Sequence, residues 1–350
     1  MRRSSVSLVS AVLLALSTGP VAASEAGPAL APIEDFVPVT RPDGAIEWFG
    51  RCATPPRAER PAPTDLDRLL GIPADCDSNS TNPTADYDPG TAYLIEVWVH
   101  ILQSNATQGA VSDARIHSQI AVLNEDFRAL IGSNGENGND SAVYFKLAGI
   151  TRTTNATFFN DGGGYFNTLA VDPDNYLNIY SNNAGGNLGY VPQLPTDQAP
   201  GGSFVGSNSD RVVIYWESMG VNPGFPPYDL GRTATHEVGH YMGLEHVFSG
   251  GCGTPTPPAC YTTGDLICDT NADATSHFPC TPGTTCSGIA IPIENYMEYT
   301  DDFCMEKFTV EQNRRMRCAL TNYRTELGIP ILFYDGFESG NLNPWSLSFP

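Results

Sequence analysis

The stretch His236-Glu237-Val238-Gly239-His240-Tyr241-Met242-Gly243-Leu244-Glu245-His246 decides how this chain is read. On a helix at about 100° per residue, positions four apart differ by roughly 40°, so His236 and His240 leave one face a turn apart. Continued as helix, His246 would sit about 240° round from His240, on the wrong side. The chain must therefore leave the helix between them. Gly243 is placed to do so, because glycine accepts the left-handed conformation that ends helices. Three imidazoles can then bind one zinc ion and leave a fourth position for water. Glu237, next to the first ligand, would lie beside that water as general base. In a chain of this composition the full spacing arises by chance in on the order of 10⁻⁵ sequences, so histidines merely satisfied in a core are a poor account of it.

Upstream, Tyr93 to Leu102 reads as a buried strand, and Ser112 can cap a helix running to about Leu130 with Ile116, Ile120, Leu123 and Phe127 on one face. Further strands are expected at Val143–Ile150, Tyr176–Tyr180 and Arg211–Trp216, and a helix at Thr233–Met242. From Ser249 to Ser287 the chain is rich in Gly, Pro, Thr and Cys and reads as loop. Residues 24–89 are rich in Pro, Ala and Asp, and Pro55 to Pro63 reads as an extended linker.

The chain has 350 residues, 41% of them hydrophobic, which is enough for a sizeable core. Its 39 acidic and 18 basic residues give a net charge of −21, which argues against nucleic acid or an anionic membrane surface as partner. Charged residues make up only 16%, too few for a disordered acidic chain. The acidity suits solubility, and it also suits carboxylates binding a hard cation such as calcium. Nine cysteines, seven of them between Cys252 and Cys318, indicate an oxidising compartment, and the odd count leaves one unpaired within the chain. Arg2-Arg3, the apolar run Val6–Leu16 and the small residues Val21-Ala22-Ala23 form an expected secretory signal peptide over residues 1–23. No stretch is long enough to span a bilayer.

The zinc motif is that of the metzincin metalloproteases, and its surroundings resemble the pappalysin-like group, peptidase family M43. Gly231-Arg232-Thr233-Ala234-Thr235 before the motif carries the resemblance, as do Gly250-Gly251-Cys252, Gly264-Asp265-Leu266-Ile267-Cys268-Asp269-Thr270 and Asn295-Tyr296-Met297-Glu298-Tyr299 after it. It covers roughly residues 92 to 318. It implies an α+β fold in which a twisted mixed sheet is backed by one helix and followed by the active-site helix, with a loop-rich, disulfide-bonded C-terminal subdomain. It also implies a secreted zinc endopeptidase made as a zymogen and acting on proteins or peptides. Met297 would form the turn beneath the zinc, and Tyr299 would stabilise the oxyanion. Leu188-Gly189-Tyr190 looks like the edge strand on which an extended substrate pairs.

The family pattern implies bridges Cys252–Cys286 and Cys280–Cys304; Cys260 and Cys268 depart from that pattern and would make a short additional bridge. Asp265, Asp269 and Thr270 match a stretch that supplies calcium ligands in relatives. Arg51-Cys52-Ala53-Thr54 is similar to a propeptide element whose thiolate takes the fourth zinc position. A Cys52–Cys76 disulfide stands as the alternative, against Cys76 bridged to Cys318. Phe303 would favour an apolar residue after the scissile bond, unless Asp302 turns inward. The domain boundaries expected are 1–23 signal peptide, 24–89 propeptide and linker, 90–330 catalytic domain and 331–350 a tail of unknown role. A secreted binding or adhesion protein that keeps the fold without turnover is the alternative function, and a hydrolase of non-protein amides is a third. The intact Glu237 and Tyr299 speak against the binding protein.

Overall fold

A computed structural model describes residues 35–56, 76–81 and 84–331. The expected signal peptide, the linker from Arg57 to Pro63 and the tail after residue 331 lie outside the described residues. In chain order the main elements are β1 (Phe36–Thr40), β2 (Ile46–Gly50), β3 (Ala92–Gln103), α1 (Asp113–Arg128), β4 (Val143–Thr154), two single-turn helices α2 (Ala156–Phe159) and α3 (Phe166–Leu169), and β5 (Tyr176–Asn182). Then follow β6 (Gly189–Tyr190), β7 (Val212–Tyr215), α4 (Arg232–Tyr241), a small ladder of β8 (Thr284–Thr285) and β9 (Ile289–Ala290), α5 (Val310–Asn322) and β10 (Ile329–Ile331).

β3 is the centre of the main sheet. It pairs in parallel with β4 on one side and β5 on the other, and β7 continues in parallel beyond β5. β6 closes the edge antiparallel to β7, and β10 pairs antiparallel with the first residues of β3. The sheet is therefore mixed, and both its faces are covered. Ile95, Val97, Val99 and Ile101 alternate along β3 onto one face, where they join Ile116, Ile120, Leu123 and Phe127 of α1 and Ala234 and Val238 of α4 in one core. Ser112 caps α1 by accepting from the Arg115 amide, and Ala129 at φ 48° ends it. The opposite face carries Leu102, Tyr180, Val213 and Tyr215, packed with Val37, Val39 and Phe49 of the β1–β2 hairpin.

Two elements depart from the sequence reading. No strand is expected from sequence within residues 24–89, yet residues 36–50 form an antiparallel hairpin. Its turn signal, Pro42-Asp43-Gly44, lies between apolar pairs, and Gly44 takes φ 84° there. The second is α5, which carries a reciprocal cap between Thr309 and Gln312 and buries Met316, Cys318, Ala319 and Leu320.

Candidate metal centre

Helix α4 begins at Gly231 with φ 83° and no side-chain cap of its own. Asp302, far along the chain, supplies the cap: its Oδ2 accepts from the amides of Leu230 (2.9 Å) and Arg232 (3.2 Å). At the other end Gly243 takes φ 92°, its amide donates to the His240 carbonyl, and the Leu244 amide donates to that of Gly239. This pair of bonds terminates the helix and turns the chain back, which brings His246 round to the other two histidines.

The three rings converge. His240 Nε2 lies 3.1 Å from His236 Nε2 and 2.9 Å from His246 Nε2, and the Cys52 thiol completes a cluster whose ligand atoms all lie within 4.8 Å of one another. Tautomers decide what this means. His236 Nδ1–H donates to the Tyr296 carbonyl (2.7 Å) and His240 Nδ1–H to that of Leu244 (2.8 Å), so each Nε2 carries a bare lone pair. Two lone pairs held head to head at 3.1 Å repel unless a cation lies between them, so the donor set fits a zinc ion. Burial pushes His240 down to about 4, and burial with the neighbouring imidazoles pushes His236 and His246 well below the ordinary range. All three are thus neutral and ready to ligate.

Glu237 is fully buried, and burial pushes it up to about 8 against the opposing pull of Arg51, Cys52 and Thr54. Its Oε2 accepts from the Thr54 hydroxyl (3.1 Å) and lies 3.5 Å from Cys52 Sγ, while Oε1 has no donor among the described residues. A Cβ on Gly189 would come within 2.7 Å of the Glu237 side chain, so glycine is needed where the edge strand passes the carboxylate. Met297 is buried, and its sulfur would be 2.5 Å from a Cβ on Gly239, in close contact with the helix between the two histidines. The Tyr299 ring lies 5.7 Å from that of His236 and 4.8 Å from that of His246.

Residues 50–54 run along the β6 edge in parallel. Leu188 N donates to Gly50 O, Ala53 N to Gly189 O, and Val191 N to the Thr54 hydroxyl. Ala53 is buried and keeps its edge bond to Gly189. Cys76 is bridged to Cys318, and Cys52 is a free, buried thiol. The other bridges are Cys252–Cys286, Cys260–Cys268 and Cys280–Cys304. Thr270 donates to Asp265 Oδ2 (2.8 Å), and Asp265 is buried and pushed up by that burial to about 7. Asp269 departs from this pair and accepts from the Glu311 amide at the start of α5.

Two environments escaped the sequence reading, which names Arg51 only as part of the Arg51–Thr54 element and Asp126 not at all. Arg51 is fully buried, its guanidinium 5.0 Å from the Tyr228 ring centre and 5.9 Å from that of Tyr299. Its positive charge acts on both Asp301 and Asp302. Phe303 is 62% exposed, whereas Asp302 is buried at the start of α4. The second is Asp126 of α1, which holds Arg232, Thr235 and the Tyr296 hydroxyl together behind the histidines. No local spacing announces either group.

Comparison with known proteins agrees with this architecture. Residues 166–321 match the model of peptidase family M43, described as pregnancy-associated plasma protein-A. Extracellular metalloprotease 1 of Coccidioides posadasii is 35% identical over 238 residues, covering 66% of this chain and 78% of that protein. An extracellular metalloprotease of Verticillium alfalfae is 33% identical and covers 76% and 90% respectively. Among solved structures, a promirolysin variant from Tannerella forsythia superposes with a TM-score of 0.62 at 31% identity, covering 79% of this chain and 96% of its own. Mature mirolysin with a cleaved peptide, from the same organism, gives 0.53 at 34% identity and covers 69% and 100%.

Proposed function

Because the chain belongs to the M43 family of metalloendopeptidases, we propose that it is a secreted, zinc-dependent endopeptidase made in a latent form, with Glu237 as its general base. The observation that carries this reading is the pair of unprotonated imidazole nitrogens at 3.1 Å with Glu237 on the same helix. His236, His240 and His246 hold the zinc, which supplies carbonyl polarisation and acidification of water. Glu237, buried on the same helix as two of the histidines, takes a proton from the attacking water and returns it to the leaving amine. Tyr299 donates to the oxygen on which charge develops, and Gly189-Tyr190 aligns the substrate backbone by edge pairing.

Latency follows from residues 50–54, which occupy that same edge. Burial and the Glu237 charge push the Cys52 thiol up, and a dication among the imidazoles reverses the balance, since a coordinating thiol deprotonates. Thr54 meanwhile holds a carboxylate oxygen of Glu237. The buried Arg51 guanidinium, whose charge acts on Asp301 and Asp302, supports a basic side chain as the preferred substrate residue once the prosegment has left. The relatives' names and the N-terminal pattern over residues 1–23 support export.

The test is cleavage of a peptide library by the activated protein with and without chelator, alongside Glu237→Ala. The variant should retain one zinc per chain and lose activity by several orders of magnitude. Near-normal turnover by it would sink the mechanism, and a library profile without Arg or Lys enrichment would sink the substrate reading.

A further inference from the structure

The chain just ahead of β3 is fastened to the catalytic fold by one helix. Arg315, Cys318 and Ala319 stand three and four residues apart on α5, so they share one of its faces. Cys318 bridges to Cys76, which seats residues 76–81 on that face. The Arg315 guanidinium, fully buried, reaches in two directions. Nη2 donates to the Asp77 carbonyl (3.0 Å) and Nη1 to the Thr81 hydroxyl (2.5 Å), while Nε donates to the Gly243 carbonyl (2.8 Å). Thr81 is held from its other side, its amide donating to the Tyr261 carbonyl (2.8 Å). Further on, Arg317 donates to the carbonyls of Tyr87 (3.0 Å) and Thr91 (2.9 Å), and Arg314 pairs with Asp88 (2.5 Å).

Gly243, at φ 92°, turns the chain between His240 and His246. A Cβ on it would meet that of Ala319 at 3.3 Å, so the turn lies on the α5 face that also carries Arg315 and Cys318. A guanidinium presents its donors in a rigid planar fork, so fixing the two Nη atoms on residues 77 and 81 fixes Nε against the turn. We propose that residues 76–91 remain in the mature enzyme, where Arg315, held by residues 76–81, is a positioning residue for the turn that brings His246 to the zinc. This rests on the zinc-peptidase reading above, and it moves the start of the mature chain from residue 90 to a point upstream of Cys76. A cut between Cys76 and β3 would leave the upstream chain tied to α5 through the disulfide, with the Cys52 thiol still among the histidines. Loss of residues 76–81 would strip two buried guanidinium nitrogens of their acceptors, which a buried charge tolerates poorly.

The experiment takes the full chain as secreted and processed. Its mass is measured before and after reduction, and zinc affinity is measured against a competing chelator beside unfolding by denaturant. The mature form should hold Cys76 and Thr91 in one polypeptide and release no upstream peptide on reduction. A mature chain that starts after Cys76, or sheds an upstream peptide when reduced, overturns the retained segment. Arg315→Lys keeps the charge but gives up the fork, and zinc affinity should fall about tenfold. Thr81→Val keeps the shape and removes one acceptor, and should weaken zinc by about threefold, as loss of one modest hydrogen bond implies. This milder variant decides the matter should Arg315→Lys fail to fold. A role confined to folding would lower stability and leave the zinc Kd unchanged, and that result in Thr81→Val overturns the positioning role. A parent chain that binds no zinc overturns the zinc-peptidase reading and this role with it, whereas a zinc-binding parent with unaltered variants overturns this role alone.

Discussion

Asp126→Asn tests how far the zinc site depends on a residue that never touches it. Asp126 Oδ1 accepts from Arg232 Nη2 (3.1 Å) and the Tyr296 hydroxyl (2.9 Å), and Oδ2 accepts from Thr235 (2.5 Å). The carboxylate is 1% exposed, and Arg232 is buried beside it. Burial pushes Asp126 up to about 6, so at neutral pH it is still the anion paired with Arg232. Asparagine leaves the guanidinium without its counter-charge and turns an NH₂ toward a donor. Removing one partner of a buried pair costs about 3–5 kcal/mol. For a domain of this size that is a fall in Tm of roughly 6–20 °C. The second effect runs through Tyr296, whose carbonyl holds His236 Nδ1–H. Loss of such outer support weakens metal affinity by about 10–100-fold. The assays are denaturant unfolding and zinc transfer to a competing chelator, the latter far below the melting range. A purely structural role would lower stability and leave the zinc Kd unchanged. Stability within about 1 kcal/mol of the parent and zinc affinity within twofold would together refute the coupling.

Gly189→Ala places a methyl within 2.7 Å of Glu237, so hydrolysis should fall at least tenfold with zinc content unchanged; full activity in a peptide assay would show that the strand has room. Cys52→Ala should yield a secreted form that is partly active before processing, read as peptide cleavage by the unprocessed chain, whereas full latency would place the block elsewhere. His100 is buried between Thr151 and Asn178, and burial pushes it down to about 4. Its folded pKa is depressed below the ordinary 6.5, so the unfolded chain takes up a proton first as pH falls. Stability is thus intact above about 6.5 and declines by roughly 3 kcal/mol on acidification to about 4. His100→Gln should flatten that limb in unfolding measurements, and an unchanged acid slope would count against the assignment.

Local periodicity carries information only where a structural unit is contiguous in sequence, and the elements divide along that line. His236, His240 and Gly243 were legible because helical phase and a helix stop are properties of neighbouring residues. The same holds for β3 and for α1 with its Ser112 cap. The β1–β2 hairpin and α5 had readable signals, Pro42-Asp43-Gly44 and the Thr309–Gln312 cap, but in proline-rich and cysteine-rich surroundings those signals are weak. No sequence pattern could place Arg51 against Tyr228 and Asp302, or Asp126 against Arg232 and Tyr296. These contacts join residues whose separation along the chain bears no relation to their distance in space. They form only when β3, α1 and α4 have packed and the loop after the zinc motif has folded back onto the Met297 turn. The sequence alone singled out the three histidines that converge in the structure and the glutamate beside them. Which groups orient those side chains, and where Arg51 and Asp126 are buried, were decided by tertiary packing, where burial turns polar contacts that are weak in water into strong ones.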